Sequence, residues 1–150
     1  MVITVDTNVI FSALHSHRGA SHHIFRLILA EKVRLALSYP VYLEYYDVLT
    51  RAENLRLLKI TIPEVEDVLD LLVLLAQKHR IYFLLRPNLV DEKDNMLVEC
   101  AFASNSTYLI TSNIRDFQRG ELKGFGFEVI TPKDFCQEWR AYDEHTSRHD

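Results

Sequence analysis

A chain of 150 residues with 48% hydrophobic content can bury one sizeable core, and no stretch has the Pro/Gly/Ser composition of a linker between two domains. The longest apolar stretch, 68–76, is interrupted by Asp70 and is far too short to span a bilayer. No basic region precedes the first strand, so a soluble, cytoplasmic protein without a membrane segment is expected. A net charge of −4 excludes the overall basic field common among nucleic-acid binders, so any such contact must come from local patches.

In chain order, the β-branched run 2–5 reads as a buried first strand. It ends at Asp6-Thr7-Asn8, whose short polar side chains suit the cap of a helix starting near Val9. After a polar loop, Ser21 suits the cap of a second helix reaching about Glu31, with Ile24, Leu27 and Ile28 on one face. A second strand is expected over 35–37. Pro40 then fits the first turn of a helix that carries Glu44 to about Thr50, and a further helical piece covers 52–58. Thr61-Ile62-Pro63-Glu64 is a capping-box signature, and Val65, Val68, Leu69, Leu72 and Leu75 give its helix an apolar stripe up to about Lys78.

A third strand is expected over 81–85, ended by Pro87 and Asn88. From the 91–94 turn a helix runs to about Ser104, with Leu97, Val98, Ala101 and Phe102 facing the core. Strands follow over 108–110 and 127–130, and Thr131-Pro132-Lys133-Asp134 opens a last short helix. The expected division is one domain over 1–142 and a polar, mobile tail over 143–150. Alternating short strands and amphipathic helices imply right-handed βαβ units, hence an α/β fold whose parallel sheet is covered on both faces. Cys100 and Cys136 lie in apolar helical patterns without metal-type spacing and are expected to be buried free thiols.

Four acidic segments stand where strands or helices begin or end: Asp6 in VITVDTNVI, Glu44 in PVYLEYY, Asp94 in VDEKDNMLVECA and Asp116 in LITSNIRDF. Two follow apolar strands, which deliver them to one edge of the sheet, where open α/β sheets bind ligands. Carboxylates gathered there repel by roughly 4 kcal/mol per close pair at an effective dielectric near 20, so a cation is the simplest reason to keep them together. Oxygen ligands favour Mg²⁺ or Mn²⁺ over zinc.

These four motifs, in this order and spacing from Val2 to about Phe135, resemble the PIN domain, and within it the single-domain toxin-type members of toxin–antitoxin pairs. The resemblance implies a three-layer α/β/α sandwich with Mg²⁺- or Mn²⁺-dependent RNA endonuclease activity. It also implies a homodimer and inhibition by a small antitoxin protein. Carried over by position, Asp6, Glu44, Asp94 and Asp116 match the family's four acids. Many members have an aspartate where this chain has Asn113; the Asn113-to-Asp116 spacing is itself a familiar toxin-type variant. That departure leaves open whether Asp116 meets the metal directly or through water, and Asp91 is a reserve acid.

Phosphodiester hydrolysis needs an activated water and stabilisation of developing negative charge, both of which a divalent cation supplies. Asp6 and Asp94 would be its principal ligands, Asp116 would complete the set, and Glu44 would hold a water or a second ion. Thr7, Asn8, Thr111, Ser112 and Asn113 are placed to hydrogen-bond the carboxylates or the phosphate. Taken singly each acid has a plain alternative: a cap, a solvated surface position, or a helix-start acid favoured by the dipole. Arg115, Arg119 and Lys123, with Arg51, Arg56 and Lys93 from other segments, are either a solvated face or a grip on RNA. His15, His17, His22 and His23 read as a solvated loop rather than a zinc site, having no cysteine and no regular helical spacing. The alternative function is a degenerate PIN-like module that binds RNA or protein without cutting. A receiver-like phosphorylation module is a poorer fit, because 79–113 offers no central strand ending in aspartate followed by a well-placed lysine.

Overall fold

The computed structural model describes residues 1–79, 92–117 and 125–149. Five strands form one all-parallel sheet in the order β3-β2-β1-β4-β5. They are β1 (Val2–Val5), β2 (Arg34–Ser38), β3 (Gln77–His79), β4 (Tyr108–Ile110) and β5 (Glu128–Ile130). Between β1 and β2 run α1 (Thr7–His15) and α2 (Ala20–Leu29); between β2 and β3 run α3 (Tyr39–Leu49), α4 (Ala52–Leu58) and α5 (Ile62–Leu75). Then α6 (Glu92–Ala103) precedes β4, a 3₁₀ turn (Ile114–Phe117) follows it, and α7 (Pro132–His149) closes the chain.

Strand order carries the functional geometry. The chain steps from β1 outward to β2 and β3, then reverses and places β4 on the other side of β1. With right-handed crossovers, that reversal puts helices on both faces of the sheet and opens a crevice at the carboxyl ends of β1 and β4. Ile3, Val5, Leu35, Ala36, Leu109 and Ile110 are fully buried between the helical layers, which is why β1, β2 and β4 read as mostly apolar runs.

Several elements form for the reasons their sequences give. In α5 the Thr61 hydroxyl accepts from the Glu64 amide and the Glu64 carboxylate accepts from the Thr61 amide, a complete capping box. Ser38 caps α3 through the Val41 amide, with Pro40 in the first turn.

Other expectations are corrected. Asp6 occupies the N-cap of α1 without a side-chain capping bond, and α2 is capped at Gly19, with Ser21 inside the helix. Helix α5 stops at Leu75 and a polar strand starts at Gln77, where a continuous helix to Lys78 was expected. The strand expected over 81–85 lies outside the described residues. Phe102 is 37% exposed and meets Phe125 edge-on instead of facing the core. Cys100 is buried and Cys136 only half-buried, both free. The last helix is not short: its 18 residues carry the polar segment 143–149 as helix. His15, His22 and His23 sit in α1 and α2, not in a loop, and His22 Nδ1 is 2.8 Å from the Ala13 carbonyl.

Candidate active site

The parallel register between β1 and β4 pairs Val5 with Ile110, so the next residues, Asp6 and Thr111, stand side by side at the carboxyl edge. The Asp6 amide donates to the Ile110 carbonyl at 2.9 Å, extending the ladder by one bond. Instead of capping α1, the Asp6 carboxylate turns across the crevice. Thr111 Oγ1 donates to Asp6 Oδ2 at 2.8 Å, and Asn8 Nδ2 donates to the same oxygen at 3.3 Å. The Thr111 hydroxyl is itself fixed, because it accepts from the Asn113 amide at 3.1 Å. Asn8 Oδ1 accepts from the Ser112 amide at 3.4 Å, which ties the two strand ends together from the other side.

Burial raises the Asp6 pKa above the ordinary carboxylate value. The Thr111 hydroxyl and then the amides of Thr7 and Asn8 pull it down, and the charge of Asp116 pushes it up again. That opposition places Asp116, in the 3₁₀ turn after β4, within electrostatic range of Asp6. The Asp116 amide bonds to the Asn113 carbonyl at 3.1 Å, so Asn113 organises this turn through its backbone. Among the described residues its side chain makes no hydrogen bond to a carboxylate. Thr7 is buried, whereas Ser112 and Asn113 are exposed at the crevice.

Glu44 reaches the same edge by a different device. Its neighbour Tyr45 is fully buried, and the Tyr45 hydroxyl donates to the Val5 carbonyl, the last link of β1 before Asp6. Burial, followed by the nearby Cys100 thiol and the Asp6 carboxylate, drives the Tyr45 pKa up, so the phenol stays protonated and remains a donor. This bond fixes α3 against the end of β1. Glu44 then lies 3.4 Å from Lys93 Nζ in the first turn of α6, and Asp94 follows directly. Asp94 is 9% exposed, Asn95 6% and Glu99 4%, so α6 carries two carboxylates into the interior.

The four predicted acids therefore border one edge of the sheet, but they do not close into a finished cage. Among the described residues no group of three His, Cys, Asp or Glu side chains is close enough to hold a metal ion. The donor chemistry nevertheless fits a hard divalent cation. Every available ligand is oxygen, and Asp6 is a desolvated carboxylate whose charged form a cation would favour. Asp91, Arg119 and Lys123 lie outside the described residues. Arg115 is exposed on the 3₁₀ turn, and Arg51 is held at 2.9 Å by Asp47 four residues before it.

Sequence reasoning missed Tyr45, Asn95 and Glu99. Tyr45 had a signal in its adjacency to Glu44. Asn95 and Glu99 are four residues apart, so two polar side chains share one face of the helix, and both are buried. The Asn95 Oδ1 atom is buried without a hydrogen-bond partner among the described residues, a costly arrangement that marks the interior of α6 as more than packing.

A doubly wound α/β/α protein with the desolvated carboxylate of Asp6 at its switch point and Asp116 within electrostatic range is the class this geometry defines. The family model of the PIN domain matches residues 2–115, and the chain belongs to that family. PIN domains are generally nucleases, and such nucleases generally use divalent metals. The structure of VapBC2 from Rickettsia felis bound to a DNA fragment from their promoter is similar in fold. Its TM-score is 0.61 at 17% identity, covering 87% of this chain and 98% of that one. No curated protein matches the sequence. Among the described residues no helix is long and apolar enough to cross a membrane.

Proposed function

We propose that this protein is a divalent-metal-dependent endoribonuclease, the toxin of a toxin–antitoxin pair, which acts in the cytoplasm as a homodimer restrained by a small antitoxin protein. The observation that carries the reading is Asp6. A carboxylate at the switch point of a PIN fold is held by Thr111 and Asn8 against the combined cost of burial and the charge of Asp116. A nuclease has a use for that arrangement; a helix cap alone has none for the side-chain bonds from Thr111 and Asn8.

Asp6, Asp94 and Asp116 are the residues that would hold Mg²⁺ or Mn²⁺, with Glu44 beside them. The ion would supply a more acidic water and neutralise charge developing on the phosphate. The chain's own contribution is orientation: Thr111 and Asn8 fix one oxygen of Asp6, and Tyr45 fixes the helix carrying Glu44. Lys93 sits against Glu44 and brings a cation to the edge where a phosphate must approach. The partner reading draws on the similar fold of VapBC2 and on exposed Leu71 and Leu74 of α5, an apolar surface suited to association.

Incubating a mixed RNA pool with purified protein in Mg²⁺, Mn²⁺ or EDTA tests the activity. Metal-dependent cleavage by the parent and its loss in Asp6→Asn support the reading. An inert parent that still binds RNA would favour the non-cutting module, the reading that Asn113 in the place of an acid supports.

A further inference from the structure

A second concave feature lies beside the acidic edge and plays no part in holding the carboxylates. It is a cavity of about 500 Å³ between the start of α3, the α5 helix and β3, a volume typical of small-molecule sites. The β1–β2 register pairs Ile3 with Leu35, so its continuation sets Ser38 level with Asp6, and β2 pairs Ser38 with His79. At roughly 5 Å per strand, the backbone of Ser38, which lines the cavity at the carboxyl end of β2, stands one strand away from that of Asp6.

The lining is that of a nucleobase site. Tyr39 and Tyr42 supply aromatic rings, Leu37 and Val73 apolar contact, and Asp70 and Lys78 opposite charges. Tyr39 is 72% exposed, an unusual position for a large aromatic ring, and it borders this cavity. A base has two apolar faces and a polar edge, and its nucleotide carries a phosphate. Ring faces stack any base, a carboxylate accepts from an exocyclic amino group, and a lysine pairs with a phosphate. We propose that this cavity receives the unpaired ribonucleotide next to the cleaved phosphate, with its base stacked on Tyr39, and that Asp70 selects bases bearing an amino group. The proposal deepens the nuclease reading and rests on it for the position of the cut.

The test compares the parent with Tyr39→Ala, Tyr39→Phe and Asp70→Asn. Cleavage of a randomised single-stranded RNA pool gives the base preference beside the cut, and one short substrate gives kcat and KM. Losing the stacked ring should raise KM by about 5- to 150-fold and flatten the preference, with kcat nearly unchanged. Tyr39→Phe should behave as the parent. Asp70→Asn should relax selection against uracil. Binding of a short RNA containing 2-aminopurine to the same proteins in EDTA gives a readout independent of cleavage. Quenching by the parent that is lost in Tyr39→Ala supports the subsite even if no metal supports cutting, in which case only the nuclease reading fails. Unchanged KM, preference and quenching in folded Tyr39→Ala would overturn the proposal and leave the cavity to a side chain of a protein partner.

Discussion

Thr111→Val isolates the hydrogen bond that keeps Asp6 available as a carboxylate. Thr111 is fully buried, valine matches its shape, and the change removes the 2.8 Å donor to Asp6 Oδ2. It also removes the acceptor of the Asn113 amide, which loosens the 3₁₀ turn carrying Asp116. A hydrogen bond to a charged group contributes about 1.5–3 kcal/mol, equivalent to roughly 10- to 100-fold in an equilibrium constant. Asp6, already raised by burial, should therefore titrate higher still, and the acid limb of kcat/KM against pH should move up with it. On that limb the rate should fall about 10- to 100-fold. Thr111→Ser keeps the hydroxyl and should leave the limb in place.

Stability gives a second view of the same group. Because burial raises Asp6 in the folded chain, its protonated form favours folding. That contribution is full below the ordinary carboxylate pKa and is lost as pH rises through the raised folded value. In EDTA, Thr111→Val should extend that loss to higher pH. An acid limb and a melting profile both unmoved in Thr111→Val would show that the bond does not set the charge of Asp6.

Asp6→Asn should raise the metal-free melting temperature at neutral pH, because it removes a desolvated charge repelled by Asp116, and calorimetry in EDTA measures it. Added Mg²⁺ should stabilise the parent by about 2.7 kcal/mol at a hundred times its Kd and the Asp6→Asn variant far less. Asp116→Asn should weaken cleavage and raise the metal concentration required. Asn113→Ala should have little effect in the same titration, since only its backbone organises the turn. Tyr45→Phe should cost about 1 kcal/mol of stability in urea melts and lower kcat more than it changes KM, because it frees the helix that positions Glu44.

The sequence was legible wherever one residue's chemistry determined its surroundings. The β-branched run before Asp6, the Thr61–Glu64 box and Pro40 each specify an element locally, and those elements form as expected. Strand β3 was missed because Gln77, Lys78 and His79 form a strand that, among the described residues, pairs on one side only, where polar residues carry no apolar signal. The length of α7 was missed for a related reason: from Ala141 onward its residues are exposed, and an unburied helix shows no stripe. The four acids were visible, but the direction of Asp6 was not, since a cap and a crevice-facing carboxylate have the same sequence. Only the β1–β4 adjacency, a consequence of strand order, brings Thr111 across a separation of 105 residues to decide it. The Tyr45–Val5 bond was hidden in the same way, because a tyrosine in an apolar helix reads as core until its hydroxyl finds a strand carbonyl.

The central claim is that these carboxylates hold one divalent cation at the switch point, and anomalous diffraction from a crystal soaked in Mn²⁺ measures it most directly. The account predicts a manganese peak about 2.1 Å from a carboxylate oxygen of Asp6, shared with Asp94 or Asp116, and absent from Asp6→Asn crystals. Manganese bound elsewhere, with none at this edge, would contradict it.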